Sequence, residues 1–187
     1  MNIDQILDQI YPLPQASKNS LKSYITEVSY PKGFCLMEAD KVIPYLYFIR
    51  KGIARAYSPT SEIDITFWFG SEGQSILSMK SYVEDKPGYE SIELLEDCDL
   101  YRLETENLKK LFNEDIHIAN WGRKLAEAEM IKSEELIISR QFKTSLERYK
   151  DLMHNNPDLL KRVQLGYIAS YLGITQVSLS RIRAEIK

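Results

Sequence analysis

The stretch LGYIASYLGITQVSLSRIRAE, residues 165–185, decides how this chain is read. Counted from Leu165, apolar side chains fall at Ile168, Leu172, Ile174, Leu179 and Ile182. Those are the places where two short helices, joined by a tight turn at a steep angle, bury side chains against each other. Ala169 stands where the helices approach most closely, so a small residue is needed there. Gly173 stands in the turn, where a positive φ is favoured and the missing Cβ removes the penalty. Thr175 is placed to cap the second helix, although no Glu or Gln three residues on completes a capping box. The pattern predicts a helix-turn-helix. An amphipathic hairpin packed on the protein body would be the alternative, but it has no need of Ala169 and Gly173 at these places.

In a helix-turn-helix the start of the second helix enters the major groove of DNA. Thr175, Gln176, Val177 and Ser178 are its first residues, and Arg181 follows one turn later. A Gln reads adenine with two hydrogen bonds, a Val meets a thymine methyl, and an Arg pairs with guanine or with phosphate. Thr175 and Ser178 suit phosphate contacts that hold register.

The charge distribution agrees. The 187 residues carry a net charge of −3, but residues 1–138 are net −8, whereas residues 139–187 hold nine basic and four acidic residues, net +5. A basic end beside an acidic body is expected where only that end meets phosphate. Hydrophobic residues make up 44% and charged residues 27%, an ordinary globular composition. No run approaches a membrane span, and the acidic N-terminus MNIDQILDQI is no secretory signal, so the expected compartment is the cytoplasm and no membrane partner is expected.

Working back from the tail, residues 115–138 form one long candidate helix with a single Gly122. Ile118, Trp121, Leu125 and Ala128 follow a 3-4-3 spacing, but Lys132 and Glu135 come next in phase. The stripe suits either a helix packed on its own body or a dimer helix. A further helix over about 142–153 ends at Asn155-Asn156-Pro157. Residues 28–103 read as short strands at Phe34-Cys35-Leu36, 45–50, 53–57, 63–69, 92–95 and 99–103. Turn signals such as Lys51-Gly52 and Pro87-Gly88 separate them, which predicts a β-sandwich or jelly roll. Ile3, Ile6, Leu7 and Ile10 open a first helix, and residues 17–25 a second. Cys35 and Cys98 are expected to be buried, and with His117 and His154 they make no zinc spacing.

The chain resembles the Crp/Fnr superfamily of bacterial regulators, and looks most like its short Bacteroidetes-type members. Three segments carry the likeness: YLYFIRKGIAR at 45–55, SIELLED at 91–97 and IASYLGITQVSLSRIR at 168–183. The resemblance implies an α+β fold. Residues 1–114 would form a cyclic-nucleotide-binding-like double-stranded β-helix, 115–138 a dimerisation helix and 139–187 the all-α helix-turn-helix domain. It also implies a homodimer paired through the Ile118, Trp121, Leu125 and Ala128 seam. A near-palindromic operator on double-stranded DNA and RNA polymerase as a partner come with it. Family members usually continue into a β-hairpin wing. This sequence ends at Lys187, so further phosphate contacts are expected from Arg140, Lys143, Arg148, Lys161 and Arg162.

The cyclic-nucleotide members hold the cyclic phosphate with an Arg near the end of a cassette that begins with Gly-Glu. Here the stretch GQSILSMKSYVEDKPGYES, 73–91, has Gln74 after the Gly and no Arg between Arg55 and Arg102. Glu90 places a carboxylate where a phosphate needs a cation, and Lys80 and Lys86 lack the bidentate fork. A pocket of Gln74, Ser75, Met79, Tyr89, Glu90 and Ser91 is therefore expected to take an unidentified effector, with little or no cAMP binding. No iron-sulfur cluster or other metal is expected. The acidic run Glu90, Glu93, Glu96 and Asp97 reads as a solvated face, and no catalytic motif is present. The expected function is a DNA-binding transcription regulator rather than an enzyme. A sensing or interaction module whose tail docks a partner protein is the alternative.

Overall fold

Helix α1 (Ile3–Ile10) starts at an Asn2 cap, where the side chain accepts from Gln5 N at 2.9 Å and Gln5 answers to the Asn2 N–H. Pro12 and Pro14 end its run before α2 (Gln15–Lys22). In this computed structural model, which describes residues 1–59 and 64–186, eight strands follow. They are β1 (Ile25–Tyr30), β2 (Cys35–Met37), β3 (Tyr45–Lys51), β4 (Ala54–Ser58), β5 (Ile65–Gly70), β6 (Ser75–Ile76), β7 (Ser91–Leu94) and β8 (Cys98–Glu104). α3 (Met79–Glu84) lies between β6 and β7. The helical end comprises α4 (Thr105–Glu114), α5 (Ile116–Phe142), α6 (Ser145–Asn155), α7 (Leu159–Arg162), α8 (Leu165–Tyr171) and α9 (Gln176–Ile186).

The strands form two four-stranded sheets, ordered β1-β8-β3-β6 and β2-β7-β4-β5. The pairs with recorded register are antiparallel, and the architecture is the α+β one expected: a β-sandwich, a long helix and terminal helices. Ile25 pairs with Leu103, so it opens β1 rather than closing the second helix as its spacing suggested. Ile63, read as the start of a strand, lies outside the described residues.

The chain divides into two compact units. One joins Met1–Ala56 to Phe69–Glu129, the other Tyr57–Trp68 to Met130–Lys187. In the first, strand alternation sends Leu46 and Phe48 of β3 and Tyr101 and Leu103 of β8 into one core with Ile6, Leu7, Leu111, Ile118 and Trp121. The Trp121 indole N–H donates to Leu7 O at 3.0 Å, and its ring meets Phe48 edge-on. Gly122, the lone glycine of α5, lies under the Phe112 ring of α4. A Cβ there would collide with that ring, which explains glycine inside a helix.

This core takes in part of the expected dimer seam. Ile118 and Trp121 are fully buried in their own unit, and Leu125 packs against the same cluster. Only Ala128 of the four is exposed. Ile118 and Trp121 are thereby closed to a partner helix, whereas Ala128 stays open. Apart from Ile116 at its start, the exposed large apolar residues of α5 lie further on, at Met130, Ile131, Ile137, Ile138 and Phe142.

Two smaller readings also change. Cys98 is buried, and burial pushes its thiol up to about 11, but Cys35 is exposed on β2, a strand at the end of its sheet. The acidic run is not a uniformly solvated face: Glu90 is buried, and Glu93 on β7 makes an ion pair at 2.8 Å with buried Arg55 on the neighbouring β4.

Candidate nucleic-acid interface

Helix α8 ends in a Schellman motif. Ile174 N donates to Ala169 O and Gly173 N to Ser170 O, both at 3.0 Å, with Gly173 at φ +68°. A Cβ at Gly173 would meet nothing within 4 Å, so glycine is required for its backbone conformation and not for space. Thr175 then caps α9, its Oγ1 accepting from Ser178 N at 3.1 Å while Leu179 N closes the first helical bond to Thr175 O. Ile168, Ala169, Leu172 and Leu179 are buried, and Ile174 and Ile182 are half-buried. α8 packs directly on α9.

What this leaves outside is the start of α9. Thr175, Gln176, Val177 and Arg181 are exposed and Ser178 is half-buried. The five sequence-predicted residues therefore share one open, polar-to-cationic helix start, the part that enters a groove in this class of motif. The Ser178 and Thr175 hydroxyls lie 3.0 Å apart.

The neighbouring helix α6 begins later than the apolar pattern suggested. Thr144 caps it in a full capping box with Glu147, whose Oε2 accepts from Thr144 N at 2.7 Å. Those bonds hold the Glu147 carboxyl below its usual range. The signal was present as Thr144-Ser-Leu-Glu147. Arg148 ties two turns together: Nη1 donates to Lys143 O at 2.6 Å and Nη2 to Leu172 O at 2.9 Å. Among the other cations read as phosphate contacts, Lys143 pairs with Asp151 and Lys161 with Asp158. Arg140 stands beside Tyr171; burial raises that phenol, and the Arg140 charge opposes the rise. Ser170, on α8, accepts from Thr66 N at 2.9 Å and donates to Asp64 O at 3.0 Å, fastening the strand segment of this unit to the helix.

In the first unit, the six residues read as a ligand pocket are put to different uses. Gln74 Oε1 accepts from Ser71 N at 2.8 Å, closing a turn, and Ser75 pairs with Phe48 in the sheet. Met79 and Tyr89 are exposed. Glu90 and Ser91 are buried, accepting from Tyr89 N and Ala39 N at 3.0 Å each. The flanking arginines are engaged elsewhere: Arg55 with Glu93, Arg102 over the Tyr45 ring. Among the described residues no group of three or more His, Cys, Asp or Glu could hold a metal, and no helix is long and apolar enough to cross a membrane.

A β-sandwich unit, a long helix and a terminal helix-turn-helix together make up the fold seen in Crp/Fnr regulators. Solved structures of that class superimpose over most of the chain. FixK2 from Bradyrhizobium japonicum matches with a TM-score of 0.73 at 20% identity, covering 87% of this chain and 84% of that one. A protein assigned to the Crp/Fnr transcriptional regulators from Eubacterium rectale gives 0.70 at 18%, over 93% and 85%. The c-di-GMP-responsive global regulator CLP of Xanthomonas campestris gives 0.67 at 12%, over 92% and 91%. No family sequence model and no curated protein sequence matches the chain.

Proposed function

We propose that this protein is a sequence-specific, dimeric DNA-binding transcription regulator of the Crp/Fnr type. The observation that carries the reading is the capped start of α9, exposed and polar, set on a buried α8–α9 core by the Schellman turn at Gly173. Gln176 reads a base by its amide and Val177 contacts a thymine methyl. Thr175 and Ser178 hold phosphates, and Arg181 pairs with guanine or phosphate.

Two-fold pairing along α5 would set two recognition helices about one DNA turn apart and make the operator near-palindromic. The surface suited to that pairing is the exposed apolar face of α5, where Met130 and Ile137, and Ile131 and Ile138, repeat at heptad spacing. Residues 1–114 act as the sensor domain, 115–138 as the dimerisation helix and 139–187 as the DNA-binding domain. The cassette at 73–91 contains no Arg and the flanking Arg55 pairs with Glu93, so the effector is something other than cAMP. RNA polymerase is a further partner of such a regulator, and the cytoplasm is its place of action.

A gel shift on promoter fragments with a salt titration tests this. Binding that strengthens steeply as salt falls supports it, because neutralised phosphates release counterions. Absence of binding at low salt favours the reading in which the tail docks a protein partner instead.

A further inference from the structure

Three oxygens converge on one face of Gly88, in the loop between α3 and β7. A Cβ added there would lie 2.6 Å from Ser78 Oγ and 2.9 Å from each oxygen of the Glu90 carboxylate. Gly88 does not take a positive φ, so the space, and not the backbone conformation, calls for glycine. The surrounding frame is tied down. Gly88 O accepts from Asp40 N at 3.0 Å, and Gly88 N donates to Lys41 O at 3.4 Å. Ser81 Oγ accepts from Ile43 N and donates to Lys86 O. Ser78 is 2% exposed, and its hydroxyl has no partner, because it stands at the start of α3 without capping it. Glu90 is 9% exposed; one oxygen accepts from Tyr89 N, and the carboxylate makes no ion pair among the described residues. A buried carboxylate without a cation and a buried hydroxyl without a partner are both costly, and one cation with N–H donors relieves both.

We propose that this cradle of Ser78, Gly88 and Glu90 binds the primary ammonium group of a small organic molecule. An ammonium offers three N–H donors, which match the two carboxylate oxygens and the hydroxyl. Its charge compensates Glu90, which a trapped water would leave bare. A divalent metal takes about six oxygens or more, and no group of three His, Cys, Asp or Glu among the described residues could hold one. Met79 follows Ser78, Val83 lies one turn further along α3, and Tyr89 separates Gly88 from Glu90; all three are exposed. They give an apolar rim suited to the hydrocarbon part of an amine. On the reading of residues 1–114 as a sensor, such an amine is its effector, and binding at Gly88 does not require α9 to meet DNA.

The test is a titration of the isotope-labelled full chain with methylamine, butylamine and benzylamine at constant ionic strength, followed by the Gly88 and Glu90 amide resonances. Benzyl alcohol serves as the neutral counterpart. The expected result is saturable binding of at least one amine with shifts at both amides, and none with the alcohol. Glu90→Gln keeps an acceptor for Tyr89 N but removes the charge, and should weaken binding about tenfold or more. Ser78→Ala removes a hydroxyl that has no bond to lose, so it should weaken binding while leaving thermal melting unchanged. No saturable binding of any of the three amines, equal binding of the alcohol, or binding that Glu90→Gln leaves unchanged would each overturn the proposal. So would the same Gly88 shifts with potassium or calcium chloride in place of an amine, because that outcome makes the cradle a metal site. Amine binding without a gel shift supports the cradle and sinks only the DNA reading; a gel shift without amine binding does the reverse.

Discussion

The helix-turn-helix and the cassette at 73–91 were both read from a few positions in the sequence, and they behave differently. In the tail every constraint acts over a short distance along the chain. Gly173 must take a positive φ, Thr175 must cap, and Ala169 must be small beside its neighbour helix. In the cassette the constraints come from strands far apart in sequence. Ser91 serves Ala39, and Arg55 finds Glu93 across the sheet. A motif whose physics is local is legible from its own residues. A pocket assembled by a sandwich is not.

The largest expected effect separates the two regions by stability. Leu179 is fully buried where α9 meets α8, so Leu179→Ala should cost about 2–5 kcal/mol in the C-terminal unit. Hydrogen exchange should show α8 and α9 amides losing protection while those of β3 and β8 keep theirs. Equal loss in the sandwich would mean that the tail is not an independent cooperative element.

The next concerns α5, whose two halves differ in the same way. Ile131→Glu with Ile138→Glu places charge on the exposed apolar face and should convert the proposed dimer to monomer, read by sedimentation, without lowering the melting of the Trp121 core. An unchanged dimer would move the interface elsewhere. A smaller effect is expected from Arg181→Ala, about 1–3 kcal/mol in DNA affinity if Arg181 reads a base. A uniform weakening across sequences, with a shallower salt dependence, would assign it to phosphate alone. Smallest of all is the response to cAMP. Calorimetry should give no heat at micromolar concentrations, because residues 73–91 contain no Arg and the flanking Arg55 is held by Glu93. Micromolar binding would show that another cation serves the pocket.

The comparison also explains what the sequence left open. The 3-4-3 stripe of Ile118, Trp121 and Leu125 was visible, but a helix packed on its own sandwich and a helix packed on a twin present the same spacing. The burial of Ile118 and Trp121 and the Trp121–Leu7 bond favour the first. Ile25 joined a helical run because nothing local reveals its pairing with Leu103. β6, α3 and α7 are too short for periodicity to register. Cys35 is an apolar-type residue in a strand pattern, yet its strand has a neighbour on one side only. The capping box at Thr144 was a local signal that could have been used. Ser78 and Glu90 meet at Gly88 from opposite ends of the α3 segment, and no motif spacing links them.

The central claim is that α9 reads DNA. Selection from a random duplex pool with the full chain, repeated with Gln176→Ala, tests it most directly. The account predicts enrichment of a near-palindrome with half-sites about one helical turn apart, and relaxed preference at one position of each half-site in the variant. No enriched sequence at low salt, or an identical preference in both proteins, would contradict it.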